Sequence, residues 1–268
     1  MLYPLSYERW WSGHSTGPDP GALLGSGRSS VTAAPGSVND EPMITAGSGD
    51  TDDLLVTLHD GWAEARLNRP HKRNALSWAL AERLVRTLTE IQESGRTAAV
   101  LAANGPIFCA GGDLEDQRAG RPAPIAEVVH GMGDSGLFLI ARVEGPVVGG
   151  GISLLTPCPV VLATPNVEFT LPAAGLVGRF PVGFFAYLDG LIPPRAIVDH
   201  GVRSTPITAE RAMTFGLVTN VVPPDRMDAE VAQWVQSVAD RPKPAMQAAA
   251  YWRDLVAERI ARPAEPLP

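Results

Sequence analysis

Three short apolar runs limit the fold of this chain more than any other feature of its sequence. TAAVLAAN (97–104), LIARVEG (139–145) and PVVLAT (159–164) are short, bounded by polar or turn residues, and typical of buried strands. Longer segments with helical character separate them. Because strands joined by crossovers lie parallel in one sheet, we predict an α/β fold with helices packed on a parallel sheet.

The segment before the first run predicts a hairpin followed by a helix. Apolar residues alternate on both sides of Asp60-Gly61, a dipeptide that favours a tight turn between antiparallel strands beginning near Leu54. An amphipathic helix should then run to about Ser94, with Ser77 or Asn74 as its cap. Its apolar positions recur three or four residues apart: Leu76, Leu80, Leu84, Leu88 and Ile91.

Beyond Phe169 the pattern becomes helical. We predict a short helix capped by Thr208 and ended by Gly216, a brief strand in VTNVVP, and a helix with Met227 and Val238 on its apolar face. A last helix should run from about residue 245 to residue 260, where prolines stop it.

These patterns divide the chain into three parts. Gly, Ser, Pro and Thr dominate residues 1–50, a composition typical of a disordered extension, although the aromatic cluster Tyr7, Trp10 and Trp11 leaves a docking peptide open. Met43 is a plausible alternative start. We expect the α/β core to span 51–225 and a helical segment to span 226–268.

Charge and cysteine content exclude several functions. The formal net charge is -7 and the basic residues are scattered, which disfavours a nucleic acid or an anionic membrane as partner. The two cysteines show no metal-like spacing and fit a reducing cytoplasm better than a disulfide. No membrane span or signal peptide is predicted, so we expect a cytoplasmic protein. We also expect no bound metal, because the cysteines lack the spacing of metal ligands.

Two glycine-bearing turns, FCAGGDL (108–114) and EGPVVGGGISLL (144–155), each follow a strand and begin a candidate helix. The first N–H groups of a helix have no partner within it, and glycine lets a ligand approach them closely. Two such turns that converge, at Gly112 and Gly150, would offer two donors to one oxygen. The alternative is that both are only tight strand-to-helix corners. GGGISL lacks the GxGxxG order and no GK[ST] occurs, so a Rossmann site and a P-loop are disfavoured.

Five segments occur in the order and near the spacing of the crotonase family, which contains enoyl-CoA hydratases and isomerases. The chain resembles this family over about residues 54–260. The segments are LNRPHKRNAL (67–76), AGGDL (110–114), VEGPVVGGG (143–151), FTLP (169–172) and TAERAMTFGLVTNVVP (208–223). The resemblance implies a crotonase-like spiral of ββα units with a C-terminal helical region, acting on an acyl-CoA in fatty acid metabolism without a permanently bound cofactor.

The resemblance also implies site residues. The backbone amides of Gly112 and Gly150 would hold the thioester oxygen of the coenzyme A substrate, as an oxyanion hole does. Lys72 and Arg73 would meet CoA phosphates, unless they form only a solvated face. The residues implied to line the CoA groove are Ala75, Ala110, Gly111, Asp113 and Leu114, and Asp113 is also expected to cap the next helix.

The chain departs from the family pattern where the chemistry would occur. Hydratases of the family use two glutamates, and the corresponding positions here are Ser153 and Ala173, which cannot exchange a proton at neutral pH. Arg179 stands where some relatives have an acid; it would clamp an acyl carboxylate, or pair with Asp189 or Asp199. Other polar candidates are Glu144, Glu168 and His130.

Two functional hypotheses follow. In the first, the protein is an acyl-CoA enzyme of the lyase or isomerase type that stabilises a thioester enolate. In the second, it is a degenerate member that binds acyl-CoA or a protein partner without turnover. The family assembles as trimers, but the short C-terminus would leave apolar surface that needs an altered homo-oligomer arrangement.

Overall fold

A computed structural model describes residues 43–44, 52–172 and 185–261 of the protein. All of them belong to one compact unit, Pro42–Pro268. The predicted site residues Ala173 and Arg179 lie outside the described residues.

The described part alternates strands and helices. Its ten strands are β1 (Met43–Ile44), β2 (Leu54–Leu58), β3 (Trp62–Leu67), β4 (Ala98–Ala103), β5 (Phe138–Val143), β6 (Val147–Val148), β7 (Val160–Ala163), β8 (Glu168–Thr170), β9 (Ile207–Thr208) and β10 (Asn220–Val221). Its seven α-helices are α1 (Trp78–Glu93), α2 (Leu114–Arg118), α3 (Ile125–Gly133), α4 (Pro194–Arg203), α5 (Ala209–Phe215), α6 (Met227–Asp240) and α7 (Pro242–Ala261). Short 3₁₀ helices span Pro70–Lys72, Gly149–Leu155, Ala186–Leu188 and Pro224–Arg226.

The main sheet has seven strands in the order β1-β2-β3-β4-β5-β7-β10. The strands β1, β2 and β3 pair antiparallel, and every pairing from β3 to β10 is parallel. The three apolar runs are the strands β4, β5 and β7, so the predicted α/β class is confirmed. A second sheet, β6-β8-β9, lies outside this order and was not predicted.

The hairpin and the helix after it form where the sequence predicted them. The strands β2 and β3 flank Asp60-Gly61, and Gly61 takes a φ of +75°, which suits a residue without Cβ. Ser77 caps α1 by accepting a hydrogen bond from the Leu80 N–H. The predicted apolar face of α1 is buried in the main core.

Three details of the described residues refine the sequence predictions. The strand β1 pairs Met43 with Leu58, within the segment 1–50 that the sequence predicted to be disordered. The predicted helix in the second glycine-bearing turn spans Gly149–Leu155 and is of the 3₁₀ type. The helix α7 starts at Pro242, before the predicted residue 245, because a helix tolerates proline in its first turn, where the N–H has no partner.

The helices α6 and α7 lie against the sheet through a second apolar cluster that contains Phe138, Val160 and Met227. The Trp252 indole N–H on α7 donates to the carbonyl of Thr156 at 2.9 Å, which anchors this helix beside the Gly149–Leu155 segment. None of the described helices has the length and apolarity that a membrane crossing requires.

Candidate active site

The turn that carries Gly112 lies against Leu76, just before α1. The Leu76 N–H donates to the Gly111 carbonyl at 2.7 Å, and the Asp113 N–H donates to the Leu76 carbonyl at 3.0 Å. These two bonds form a parallel bridge between Leu76 and Gly112. In such a bridge the N–H and C=O of Gly112 point away from Leu76. Among the described residues, the Gly112 N–H has no backbone acceptor.

The second turn begins at Gly149 and continues as the 3₁₀ helix that ends at Leu155. It is joined to the first turn, because the Val148 N–H donates to the Cys109 carbonyl at 2.9 Å. Gly150 is the second residue of this 3₁₀ helix, so its N–H has no acceptor within the helix.

The two turns converge. A Cβ atom built on Gly150 would lie 3.7 Å from the Gly112 nitrogen. Because Cβ and N of one residue are about 2.5 Å apart, the nitrogens of Gly112 and Gly150 lie within about 6 Å of each other. Two donors that share one oxygen at hydrogen-bond distance are separated by up to about 6 Å. The two nitrogens therefore lie no farther apart than about the limit at which one acceptor can reach both.

Close approach of the backbones requires glycine at Gly111 and Gly151. Gly111 has a φ of +91°, and a Cβ there would lie 3.0 Å from the Val148 oxygen and 3.1 Å from the Gly150 nitrogen. A Cβ on Gly151 would lie 2.7 Å from the Cys109 oxygen. Both contacts are with backbone, which cannot move aside easily. The glycines at these two positions therefore allow the two turns to pack backbone against backbone.

Asp113 fixes the end of the first turn, as the sequence predicted. Its carboxylate accepts from the N–H of Glu115 at 2.8 Å and from that of Asp116 at 3.4 Å, which caps α2. The Arg69 guanidinium lies 3.1 Å away. Burial alone would raise the pKa of Asp113, but the hydrogen bonds from Glu115, Arg69 and Asp116 outweigh it and lower that pKa.

Arg69 and Asn74 form a polar centre that sequence reasoning missed. The Arg69 guanidinium lies 2.9 Å from a carboxylate oxygen of Asp53 and donates to the Ala75 carbonyl at 2.7 Å. The buried Asn74 side chain accepts from the Arg69 N–H at 2.7 Å and donates to the carbonyls of Asn104 and Ile107, each at 2.8 Å. Asn74 is therefore not the cap of α1, and Arg69 is not a surface cation.

The basic segment 71–73 lies next to the first turn. The Ala110 N–H donates to the Arg73 carbonyl at 3.0 Å. Lys72 pairs with Glu115 on α2. Arg73 is exposed, and no described acid pairs with its side chain. Of the residues predicted to line a CoA groove, Gly111 and Asp113 are buried and Leu114 is 60 % exposed.

Comparisons with known proteins decide the family. The family model described as "Enoyl-CoA hydratase/isomerase" matches residues 58–258. The chain belongs to the enoyl-CoA hydratase/isomerase family. It is 26 % identical over 231 residues to mouse (Mus musculus) "Enoyl-CoA hydratase domain-containing protein 3, mitochondrial", covering 82 % of this chain and 74 % of the relative. It is 28 % identical over 219 residues to human (Homo sapiens) "Enoyl-CoA delta isomerase 2", covering 77 % of this chain and 55 % of the relative.

Solved structures give the same assignment. A crystal structure of an enoyl-CoA hydratase from Mycobacterium smegmatis matches with a TM-score of 0.68 and 29 % identity, over 80 % of this chain and 86 % of that one. The crotonase fold predicted from the five sequence segments is thereby confirmed.

Ser153 stands where the sequence places the first glutamate of the family's hydratases. It is fully buried, and its hydroxyl donates to the Gly150 carbonyl at 2.5 Å. This bond closes the start of the 3₁₀ helix on itself. Ser153 therefore holds the backbone of Gly150 in place, and its hydroxyl is not directed to a ligand.

Ser153→Ala should destabilise the fold and displace Gly150. The substitution leaves the Gly150 carbonyl without its buried donor, which typically costs about 1–3 kcal/mol. Urea unfolding measures the loss. Ser135→Ala is the matched control, because the Ser135 hydroxyl makes the same kind of bond to the Met132 carbonyl, at 2.7 Å, elsewhere in the fold. Both variants should lose stability, but Ser153→Ala alone should weaken acyl-CoA binding; equal binding by both would show that Ser153 does not position Gly150.

The other polar candidates of this family member lie away from the two turns or have partners. Glu144 is exposed and pairs with Arg142, and Glu168 is exposed on β8. Asp199, a suggested partner of Arg179, pairs with Arg203. Within the described residues no cluster of three or more His, Cys, Asp or Glu residues could bind a metal.

His130 lies on α3, the helix whose first residue, Ile125, approaches Gly150. The Ile125 Cδ1 atom would lie 3.1 Å from a Cβ on Gly150. Five residues correspond to about 140° of rotation around a helix, so His130 projects from a different side of α3 than Ile125 does. The sequence suggested a solvated His130; the residue is half-buried, its Nε2 atom is buried, and no described residue bonds to that atom.

Cys109 is buried beneath the two turns, and Cys158 is buried near β7; neither forms a disulfide. Burial raises the pKa of the Cys109 thiol to about 11, although hydrogen bonds from the backbone of Gly111 and Leu76 oppose the shift. Burial also raises the pKa of Cys158. Both thiols should therefore be protonated and inert at neutral pH.

A thiol-labelling experiment tests this prediction. With iodoacetamide at pH 8, both thiols of the native protein should react much more slowly than those of the urea-unfolded chain, because burial shields each thiol and raises its pKa. Mass spectrometry should find no label on the native chain and two labels on the unfolded one. Rapid labelling of Cys109 in the native state would show that the turns above it open.

Proposed function

We propose that the protein binds an acyl-CoA thioester and stabilises an enolate-type oxyanion formed from it. The observation that supports this most is the spacing of the Gly112 and Gly150 nitrogens, which lie within about 6 Å of each other. Neither of these two N–H groups has a described backbone acceptor. Preorganised donors stabilise negative charge that develops on a carbonyl oxygen, and the loss of one such donor typically costs about 2.7–4 kcal/mol.

The surroundings of the two N–H groups favour this role. The Ile125 side chain covers Gly150, and the Ala123 side chain covers Gly112. Aliphatic groups exclude water and lower the local dielectric, which strengthens hydrogen bonds to an oxyanion. A thioester carbonyl is neutral in the ground state and gains charge as the enolate forms, so the site would stabilise the transition state more than the substrate.

The basic segment supplies a place for the CoA phosphates. Arg73 is exposed, lies beside Ala110 through the backbone bond described above, and has no described acidic partner. We assign Arg73 as the phosphate contact. Lys72 is the second candidate, and its ion pair with Glu115 would have to loosen before Lys72 met a phosphate.

We infer that the protein catalyses fewer kinds of reaction than the family's description covers. Relatives are named as hydratases and isomerases. Two-glutamate hydration needs a carboxylate where Ser153 has its buried hydroxyl, so we infer that the protein does not hydrate enoyl-CoA by that route. Decarboxylation through an enolate needs only the two donors and a proton from solvent, whereas isomerisation and thioester hydrolysis also need a non-standard acid–base group.

A pair of ligands isolates the carbonyl contact. Butyryl-CoA has a thioester oxygen, and S-butyl-CoA is a thioether of the same length without that oxygen. Calorimetry should show that butyryl-CoA binds about tenfold more tightly, since each hydrogen bond contributes about 0.5–1.5 kcal/mol. CoA at about 100 times its dissociation constant should also stabilise the protein by about 2.7 kcal/mol. No binding of any CoA compound would overturn the proposal.

The second candidate is a binding protein without turnover. The commitment of the Ser153 hydroxyl to Gly150 favours it, because this position then supplies no proton-transfer group. Incubation with crotonyl-, 3-enoyl-, malonyl- and methylmalonyl-CoA, followed by mass spectrometry, separates the two candidates. Product from any of these compounds supports the enzyme, whereas binding without product supports the second candidate.

Homo-oligomer formation and a cytoplasmic location stay predictions. Two relatives are named as mitochondrial and peroxisomal.

A further inference from the structure

We propose that Gln117 is a specificity-determining residue that selects acyl groups carrying an oxygen atom. The inference rests on the proposed acyl-CoA site and narrows its substrate class. Gln117 lies on α2, four residues after the cap Asp113, and was not among the residues predicted from the sequence.

The amide end of Gln117 lies against Gly112. Its Nε2 atom is 2.7 Å from the position of a Cβ atom on Gly112, and the Ala123 Cβ atom is 2.6 Å from the same point. Both side chains therefore cover the Cα of the residue that supplies one of the two proposed donors. An acyl-CoA whose carbonyl reached the Gly112 N–H would pass close to the Gln117 amide.

This amide is free to bind a ligand. An amide carries two N–H donors and an acceptor oxygen, and no described residue bonds to the side chain of Gln117. The side chains nearest to Gly112 and Gly150 are Gln117, Ala123 and Ile125, and Gln117 alone of these three is polar. It is thus the group in this set that distinguishes a polar acyl substituent from a hydrocarbon.

Hydrogen bonds fix the backbone at Gln117, although the side chain of this residue is exposed. Its N–H donates to the Asp113 carbonyl at 3.1 Å. The next residue towards the N-terminus, Asp116, is buried, accepts from the Trp78 N–H at 2.9 Å and pairs with Arg121. The starting point of the Gln117 side chain is therefore fixed relative to Gly112, as a specificity residue requires.

The chemistry favours an oxygen on the acyl chain. An oxo, hydroxyl or carboxylate oxygen would accept from the amide N–H, whereas a hydrocarbon chain would displace water from the amide and leave it unpaired. Sites that hydrogen-bond a substrate atom reject analogues without it for this reason.

Matched ligands and variants test the inference. Calorimetry with butyryl-, 3-hydroxybutyryl- and acetoacetyl-CoA should show that the wild type binds the two oxygenated compounds about threefold to tenfold more tightly. Gln117→Met, which has similar length and no hydrogen-bonding amide, should remove this preference by weakening the binding of the two oxygenated compounds and by tightening that of butyryl-CoA, since the hydrocarbon chain then leaves no amide unpaired. Gln92→Met is the control, because Gln92 is also an exposed helical glutamine but lies on the last turn of α1.

A second variant of Gln117 tests the same inference with a different ligand. Gln117→Glu replaces the donor by a negative charge, so it should weaken malonyl-CoA binding relative to butyryl-CoA. Equal preferences in the wild type and in both Gln117 variants would overturn the inference and leave the acyl-CoA site intact. A wild type that binds no CoA compound would instead overturn the proposed function, and this inference with it.

Discussion

Gly111→Ala should abolish the preference for a thioester over a thioether and lower the free energy of unfolding by about 2–5 kcal/mol. An alanine at a φ of +91° costs about 1–2 kcal/mol in backbone strain. Its methyl group would also lie 3.0 Å from the Val148 oxygen and 3.1 Å from the Gly150 nitrogen, and such crowding adds about 1–3 kcal/mol. Relief of the crowding moves Gly150 away from Gly112. Urea unfolding and calorimetry with butyryl-CoA and S-butyl-CoA measure the two effects.

The control for this substitution is Gly95→Ala. Gly95 has a φ of +86°, close to that of Gly111, but a Cβ there meets nothing within 4 Å. Gly95→Ala should therefore show the strain alone, about 1–2 kcal/mol, and leave the ligand preference unchanged. If the two alanine variants behaved alike in both measurements, the contact between the two turns would not exist in solution.

Arg69→Met should lower the free energy of unfolding by about 3–5 kcal/mol. The Arg69 and Asp113 side chains are only 11 % and 6 % exposed, so the substitution leaves the Asp113 carboxylate buried without its cation. The same change frees the Ala75 carbonyl. Because Asp113 also ends the turn that carries Gly112, acyl-CoA binding should weaken as well. Urea unfolding at pH 7 measures the loss of stability.

Arg203→Met is the matched control, since Arg203 and its partner Asp199 are 67 % and 50 % exposed. It should change stability by less than about 0.5 kcal/mol. The double variant Arg69→Met with Asp113→Asn should recover part of the lost stability, because the more deeply buried of the two acids that Arg69 pairs with then carries no charge. A loss at Arg69 no larger than that at Arg203 would mean that the pair is solvated.

The Arg69–Asp113 pair should also make the free energy of unfolding depend on pH. The pKa of Asp113 is lowered below its ordinary value of 3.8, so its carboxylate stabilises the folded state above pH 3.8, and this contribution disappears as the pH falls through the lowered pKa. The difference in stability between the wild type and Asp113→Asn should therefore narrow below pH 3.8. An unchanged difference down to pH 2 would show that the pKa of Asp113 is lower still or that the carboxylate contributes nothing.

Local patterns in the sequence predicted the sheet and most helices, because burial sets a regular spacing of apolar residues along each strand and helix. Strand β4 reads as an unbroken apolar run because both of its faces are buried, and α1 shows its leucines at helical spacing because one face packs on the core. The 3₁₀ geometry of Gly149–Leu155 was not predictable in this way. It depends on the packing of Gly151 against Cys109, a contact between separate turns.

The polar centre was missed for a similar reason. Arg69 stands in a segment rich in basic residues, which has the pattern of a solvated surface, and its partner Asp113 lies 44 positions further along the chain. Nothing in the local pattern distinguishes Arg69 from its neighbour Arg73, which is exposed. A possible signal was Asn74, since asparagine tolerates the left-handed backbone, and its φ is +52°.

The central claim is that the N–H groups of Gly112 and Gly150 bind one thioester oxygen. A crystal structure of the protein with butyryl-CoA tests it most directly. The account predicts that both nitrogens lie about 2.7–3.2 Å from that oxygen. A bound thioester whose oxygen contacts neither nitrogen, or only one of them, would contradict the account.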